Sequence, residues 1–290
     1  MRITNKVLSK GYLDDLNRNI QNMRKYQEQL SSGHEVRRPS DDPFKVARTM
    51  ELNSSIAAND RYKSNIEEGI GWLETTDKAL GQINDALQRV RELTIQAGGN
   101  YTKEQRQAIQ KEIDQLKDHI REVGNTAYDG RYIFGGDKTT NPPFEADVAS
   151  PSGITYKGST NGLLREFSQG VAFTIDVPGN KFESVFNVLK DISDTLNAGD
   201  SPAGKLGDLD NEMDKILNLR AEVGAKSNRL DAMKSKNEEE TFNMTELLSK
   251  TQDIDIAKKV MEYKVMESVY NASLQTGAKI LQPSILDFLR

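Results

Sequence analysis

Cysteine is absent from all 290 residues, which removes disulfides, thiolate metal sites and thiol nucleophiles from consideration. The absence leaves the compartment open, because secreted proteins also lack cysteine. Histidine occurs only as His34 and His119, neither with partners at ligand spacing, so both read as surface residues. No Ser/His/Asp set can be assembled from the pattern. Long apolar runs are missing too. None approaches the roughly 20 residues of a membrane span, so no membrane insertion is expected. The opening Met1-Arg2-Ile3-Thr4-Asn5-Lys6 carries no hydrophobic core of a signal peptide. If the protein leaves the cell, it is expected to do so without a cleaved signal. Aromatic residues make up 7% of the chain, and the mean hydropathy is −0.66. That is polar for a compact globule of this size, because apolar burial must offset conformational entropy. It suits thin helical bundles. The net charge of −5 supplies no basic field, so no nucleic-acid partner is expected.

What the chain does have is helical periodicity. Near the start, Leu13, Leu16, Ile20, Met23, Gln27 and Leu30 alternate at spacings of three and four. That is an a/d stripe broken only by Gln27. Ser31-Ser32-Gly33 ends it, and a connector follows through Pro39 and Pro43, each of which opposes helix in the residue before it. Asp42 can cap a new helix with Pro43 at its first position. A helical segment then runs from about Phe44 to Ala97, roughly 80 Å at 1.5 Å per residue. Its stripe is Leu52, Ile56, Ile66, Ile70, Leu73, Leu80, Ile83, Leu87 and Val90. Gly69, Gly71 and Gly81 weaken it, which predicts a bend or break near Gly69–Gly71. Gly98-Gly99-Asn100 stops it, Thr102 with Gln105 resembles a capping box, and Ile109, Ile113, Leu116, Ile120, Val123 and Ala127 mark the next helix.

Character changes at Asp129-Gly130. Arg131–Gly136 reads as strand and turn, and Ile154–Tyr156 and Val171–Val177 read as strands among prolines and glycines. Helix resumes at Phe182, Val185, Leu189, Ile192 and Leu196, and a second long helix spans about Leu206 to Leu248. A last helix begins near Asp253. Its stripe is Ile256, Val260, Tyr263, Tyr270, Leu274, Gly277 and Leu281, interrupted at Glu267. Ala257, Met261, Val265, Val269 and Ala272 form a second, adjoining row, and a helix apolar on two rows needs more than one neighbour. The fold class expected is mainly α: an elongated bundle of long antiparallel N- and C-terminal helices with a small inserted β-rich lobe. The division expected is a terminal helical assembly domain (1–40 and 253–290), a helical rod (41–130 and 179–252) and the lobe (131–178).

Candidate chemistry is thin. Gly199–Leu206 nearly matches a phosphate-binding loop but places Leu206 where Ser or Thr must reach Mg²⁺, and a helix precedes it. It reads as an interhelical loop. Asp41-Asp42 and Asp253/Asp255 are carboxylate pairs before helices, where capping of free N–H groups explains them better than a metal. No catalytic residue, cofactor or metal is expected, and no enzyme. The terminal stripes either close a bundle within one chain or join copies of it. The residues expected at an assembly interface are Leu13, Leu16, Ile20, Met23 and Leu30, with Ile256, Val260, Tyr263, Tyr270, Leu274 and Leu281. Pro39, Asp41, Asp42 and Pro43 are expected to form the connector and cap.

Leu30–Gly33 through Arg38-Pro39-Ser40-Asp41-Asp42-Pro43 resembles the N-terminal signature of bacterial flagellins, and Ala272–Arg290 resembles the C-terminal one. Within that family, Pro39–Pro43 and Asp129-Gly130-Arg131-Tyr132-Ile133-Phe134-Gly135-Gly136 resemble the hook-associated proteins of the hook-filament junction more than filament flagellins. The resemblance implies a terminal domain built from both chain ends, unfolded or mobile in the monomer and ordered on polymerisation. It implies export through the flagellar type III apparatus, with a chaperone at the C-terminal helix. It places the chain outside the cell, in contact with copies of itself, a neighbouring hook-associated protein and flagellin. Leu87–Ala97 also resembles the flagellin helix read by an innate immune receptor, with Arg89, Leu93 and Glu112 at matching contact positions. The function this implies is a structural one, joining hook to filament. A filament flagellin and a soluble coiled-coil binding protein are the alternatives.

Overall fold

A computed structural model describes residues 5–147 and 149–280. Among them are six α-helices: α1 (Asn5–Ser32), α2 (Pro43–Ala97), α3 (Lys103–Gly124), α4 (Ser184–Ala198), α5 (Leu206–Gln252) and α6 (Ile256–Ile280). Six short strands lie between α3 and α4, namely β1 (Ala127–Tyr128), β2 (Arg131–Tyr132), β3 (Phe144–Ala146), β4 (Ile154–Tyr156), β5 (Leu164–Ser168) and β6 (Val171–Thr174). They pair as three antiparallel hairpins, β1–β2, β3–β4 and β5–β6. The chain is mainly α with a small inserted β-rich segment, as the periodicity predicts.

The chain forms two compact units. One is the uninterrupted stretch Ala58–Glu240, and the other combines Met1–Ala57 with Thr241–Arg290. The uninterrupted unit has a continuous core. Ile66, Leu73, Leu80, Ile83, Leu87, Val90 and Leu93 of α2 meet Ile109, Ile113 and Ile120 of α3, Val185, Leu189 and Ile192 of α4, and Leu209, Ile216, Val223 and Leu230 of α5. These are the striped positions of four amphipathic helices, each burying one face. Phe144 sits within 5.3 Å of the ring centroids of Tyr156, Phe182 and Phe186, which anchors the β3–β4 hairpin on α4. Arg165 of β5 holds Glu68 of α2 with two guanidinium hydrogen bonds. The ends of this unit also meet: the Asn237 amide donates to the Asn59 carbonyl at 3.1 Å.

Local chemistry accounts for most boundaries. Thr102 and Gln105 form the expected capping box. Asp129 (φ 49°) and Gly130 (φ 73°) make the two-residue turn of the β1–β2 hairpin, both left-handed as that turn requires. Gly199 ends α4 in the left-handed conformation (φ 87°), and its carbonyl accepts from Arg106, so the phosphate-loop look-alike is an interhelical turn.

Four sequence expectations need correction. Helix α2 does not break at Gly69–Gly71. Instead a Cβ on Gly69 would lie 2.9 Å from Leu230 Cδ1 and 3.0 Å from Phe167 Cε1, and one on Gly71 would strike the Tyr128 ring and hydroxyl. These glycines are missing side chains that let neighbours close in. Ala127 is not on the α3 stripe, because α3 stops at Gly124 and Ala127 opens β1. The strand expected over Val171–Val177 ends at Thr174, and the one expected from Arg131 ends at Tyr132. Strands β3 and β5 have no counterpart among the expected elements.

Candidate assembly interface

The discontinuous unit is built differently. Helices α1 and α6 run antiparallel. The Tyr12 hydroxyl donates to the Ser273 carbonyl at 2.8 Å, and Lys259 Nζ lies 5.3 Å from the Tyr26 ring centroid. Gly277 is buried opposite Tyr12, where a Cβ would run into the ring and hydroxyl. The seam is therefore made of tyrosine, glycine, lysine and a buried Gln29, along with the half-buried Leu16, Ile20, Met23 and Leu30 of α1 and Tyr263 and Tyr270 of α6. It contains none of the fully buried aliphatic positions that make up the other unit's core.

Apolar side chains also remain exposed on this unit. Fifteen large hydrophobic side chains are exposed among the described residues, and twelve belong to this unit. Six of them are on α6: Ile256, Val260, Met261, Val265, Val269 and Leu274. Val7 and Leu13 are on α1, Phe44 (87% exposed) and Met50 on α2, and Phe242 and Leu247 on α5. Isolated exposed hydrophobics are ordinary, but a row along one helix is not. At 3.6 residues per turn, Met261, Val265 and Val269 stack on one side of α6.

The expected interface residues thus separate into two groups. Leu16, Ile20, Met23, Leu30, Tyr263 and Tyr270 contribute to pairing within the chain. Leu13, Ile256, Val260 and Leu274 remain exposed. Leu281, with the remainder of the C-terminal signature to Arg290, lies outside the described residues. The second α6 row, Met261, Val265 and Val269, is the more exposed of the two, and Tyr12, Tyr26 and Gln29 fill seam positions that the heptad reading passes over. A count of apolar residues could not have found them, since their contribution is a hydroxyl, a ring face and an amide.

The connector carboxylates divide their work. Asp42 caps α2, accepting from Phe44 N at 3.1 Å and Lys45 N at 3.0 Å, with Pro43 as the first helical residue. Asp255 caps α6 through Lys258 N. Asp41 instead accepts from Arg38 N, closing the turn that holds Pro39. Asp253 is not a cap either: its Oδ1 faces His34 Nδ1 at 3.3 Å and its Oδ2 accepts from the Ser249 hydroxyl. His34 is therefore not a free surface residue. The Lys45 ammonium beside Glu35 holds that carboxyl below its ordinary range. Among the described residues no cluster of three His, Asp or Glu side chains is placed to hold a metal ion, and no helix is long and apolar enough to cross a membrane.

Residues 3–139 match the family model for the bacterial flagellin N-terminal helical region. The chain carries the N-terminal helical domain of the bacterial flagellins. It is 26% identical to flagellin of Bacillus subtilis strain 168 over 100% of both chains. It is 24% identical to flagellar hook-associated protein 3 of Escherichia coli strain K12, over 94% of this chain and 95% of that one. Among solved structures, Bacillus cereus FlgL superposes with a TM-score of 0.60 at 29% identity, covering 69% of this chain and 99% of that one. Members of this family are structural components of the flagellum.

The flagellin-family helix that resembles a receptor-binding segment is arranged unevenly. Arg89 of α2 and Glu112 of α3 are exposed and bonded to each other at 2.8 Å, with Glu92 adjacent. Leu93 is 2% exposed and lies in the core. It has no surface to offer a partner in this fold, which corrects its expected role and leaves Arg89 and Glu112 as the accessible pair.

Proposed function

We propose that this flagellin-family chain joins hook to filament, working by self-assembly through its discontinuous unit. The observation that carries the reading is the placement of exposed apolar side chains: twelve of fifteen lie on the unit made from both chain ends. A helix pair with a thin internal seam and a bare outer row gains most of its burial from neighbours, so ordering and assembly are coupled. Identical subunits meeting through unlike faces form rings or helices. The proposed interface is the exposed set Leu13, Ile256, Val260 and Leu274 with Met261, Val265 and Val269. The half-buried seam beneath it positions the two helices.

The proposed division is a terminal assembly domain (1–40 and 253–290), a rod (41–130 and 179–252) and a small lobe (131–178). The partners proposed are copies of this chain, a neighbouring hook-associated protein, flagellin, and an export chaperone that covers the α6 row before assembly. Export through the flagellar type III apparatus delivers it to the junction outside the cell. The role is mechanical rather than enzymatic. Arg89 and Glu112 are the positions proposed for any immune-receptor contact.

The junction is favoured over the filament by the Pro39–Pro43 and Asp129–Gly136 motifs and by the likeness to Bacillus cereus FlgL. The test is deletion of the gene. Assembled hooks without filaments, restored by the wild-type gene, are the expected result. Polymerisation of the purified chain by itself into long filaments would favour the filament reading and overturn this one. A Val265→Asp variant is expected to fail to complement the deletion while its uninterrupted unit melts as in the wild type.

A further inference from the structure

The loop from β4 to β5 carries Asn161-Gly162, the one Asn-Gly pair in the sequence. The asparagine is exposed, and its Nδ2 donates to Asp137 Oδ2 at 3.4 Å, a long bond. The backbone around it is better held. Asn161 N donates to the Ser159 hydroxyl at 3.1 Å, and the Asn161 carbonyl accepts from Asp137 N at 3.0 Å. Ser159 N donates to the Gly135 carbonyl at 2.9 Å. These bonds tie the β4–β5 loop to the Gly135–Asp137 turn. Gly162 is different. Its N–H bonds to no other described residue. A Cβ there would lie 2.7 Å from Thr174 Cγ2 and 2.9 Å from Asp176 Oδ1, so the space behind it suits glycine and nothing larger. An amide nitrogen with no partner and no side chain of its own thus follows directly on an exposed side-chain amide.

We propose that Asn161 is a site of spontaneous deamidation, and that its conversion loosens the β4–β5 loop from the Gly135–Asp137 turn. The chemistry needs only water. The Gly162 nitrogen gives up its proton to solvent and attacks Asn161 Cγ. The new N–Cγ bond closes a cyclic imide, and the Cγ–Nδ2 bond breaks with ammonia leaving. Water then opens the ring at either carbonyl. One opening gives aspartate at position 161. The other gives isoaspartate, whose main chain runs through Cγ and is longer by a carbon. Either product removes the donor to Asp137 and sets a carboxylate beside one that is ionised at neutral pH. Isoaspartate also lengthens the chain where it is tightly packed, since a Cβ on Gly136 would strike the carbonyls of Ser159 and Asn161. Both aspartates would be on the surface, so their repulsion changes the closed-to-open ratio of the loop by about two- to fivefold.

The test holds the folded full-length protein in heavy-oxygen water at mildly alkaline pH, then digests it in ordinary water, so that label marks conversions of the intact chain. Trypsin releases Gly158–Arg165, whose one asparagine is Asn161, and Glu122–Arg131, whose one asparagine is Asn125. The first peptide is expected to turn progressively into two labelled acid isomers. The second is expected to keep its amide, because both ends of the Asn125 side chain are bonded to the Phe144 backbone. Asn161→Gln, whose longer side chain closes the ring poorly, should lose the conversion. Asn161→Asp, without ageing, should lower hydrogen-exchange protection of the Asp137 amide about two- to fivefold, with the core amides of Leu87 and Val90 as reference. A Gly158–Arg165 peptide that stays unlabelled in the folded protein, while the same synthetic peptide converts, would overturn the site. Equal protection of the Asp137 amide in the wild type and Asn161→Asp would overturn the loosening. Neither outcome depends on where the chain sits in a flagellum.

Discussion

Glycine replacements in α2 give two opposite expectations from one chemical change. Adding a methyl group to a helix-interior glycine stabilises the helix by about 1 kcal/mol, because the unfolded chain loses freedom and the helix does not. At Gly81 the new Cβ meets nothing nearer than Arg220, at 3.8 Å. Gly81→Ala should therefore stabilise by about 0.5–1 kcal/mol. At Gly69 the same methyl lies 2.9 Å from Leu230 Cδ1 and 3.0 Å from Phe167 Cε1, both in fully buried side chains. Overpacking of this kind costs about 1–3 kcal/mol. Against a helix gain of about 1 kcal/mol, Gly69→Ala should destabilise by about 1 kcal/mol net. Trp72 is the single tryptophan and is buried in the same unit, so its fluorescence in a urea titration reports this unit alone. The midpoints of the two variants should move in opposite directions. A midpoint increase for both would mean that Gly69 serves no packing purpose, and close approach of Leu230 and Phe167 would no longer explain a glycine at that position.

Three further outcomes are expected. Asp176 is almost fully buried; burial pushes its carboxyl up, while the Leu163 N–H at 2.8 Å pulls it part of the way back. A raised acid favours its neutral form in the folded state, so its contribution is present at low pH and is lost as pH rises through the raised value. Asp176→Asn should raise the urea midpoint at pH 7, with the difference shrinking at acid pH. The Arg165 guanidinium, with Arg131 further off, holds the Glu68 carboxyl below its ordinary value. That stability is present above the ordinary carboxylate range and lost as pH falls through the depressed value. Arg165→Ala should cost about 1–2 kcal/mol at neutral pH, with a smaller cost in acid, by the same titration. Gly277→Ala should displace Tyr12 and break its bond to Ser273, lowering hydrogen-exchange protection in α1 about threefold or more while Trp72 fluorescence is unchanged.

The long helices were legible because each buries one face, and that demand writes a spacing of three and four into the chain. Caps were legible for a local reason: Thr102, Asp42 and Asp255 bond to amides two or three residues away. The Asp129-Gly130 turn declared itself, but the partner strand did not, since Ala127-Tyr128 continues the α3 pattern until the backbone runs out of helix. Strands β3 and β5 are short and pair with one neighbour each, which is too little for an alternating pattern to form. The glycines of α2 misled because sequence shows what glycine costs a helix and not what stands across from it. The candidate site was half legible. The α6 stripe and its second row were visible, but which row faces α1 depends on Tyr12 and Gly277, residues 265 positions apart. His34 looked solitary, and Asp253 looked like a helix cap, for the same reason.

The bond from Asn237 to Asn59 bears on the order in which the chain folds. Tyr12 and Ser273 are 261 positions apart, a long loop to close from a fully unfolded chain. Once the uninterrupted stretch has folded, its ends are tied together across 178 of those positions. The effective loop falls from 261 residues to 83. By the logarithmic law of loop closure, that lowers the entropic cost of joining α1 to α6 by about 1 kcal/mol. Formation of the terminal pair is thus expected to come last, and to be the first structure lost on unfolding.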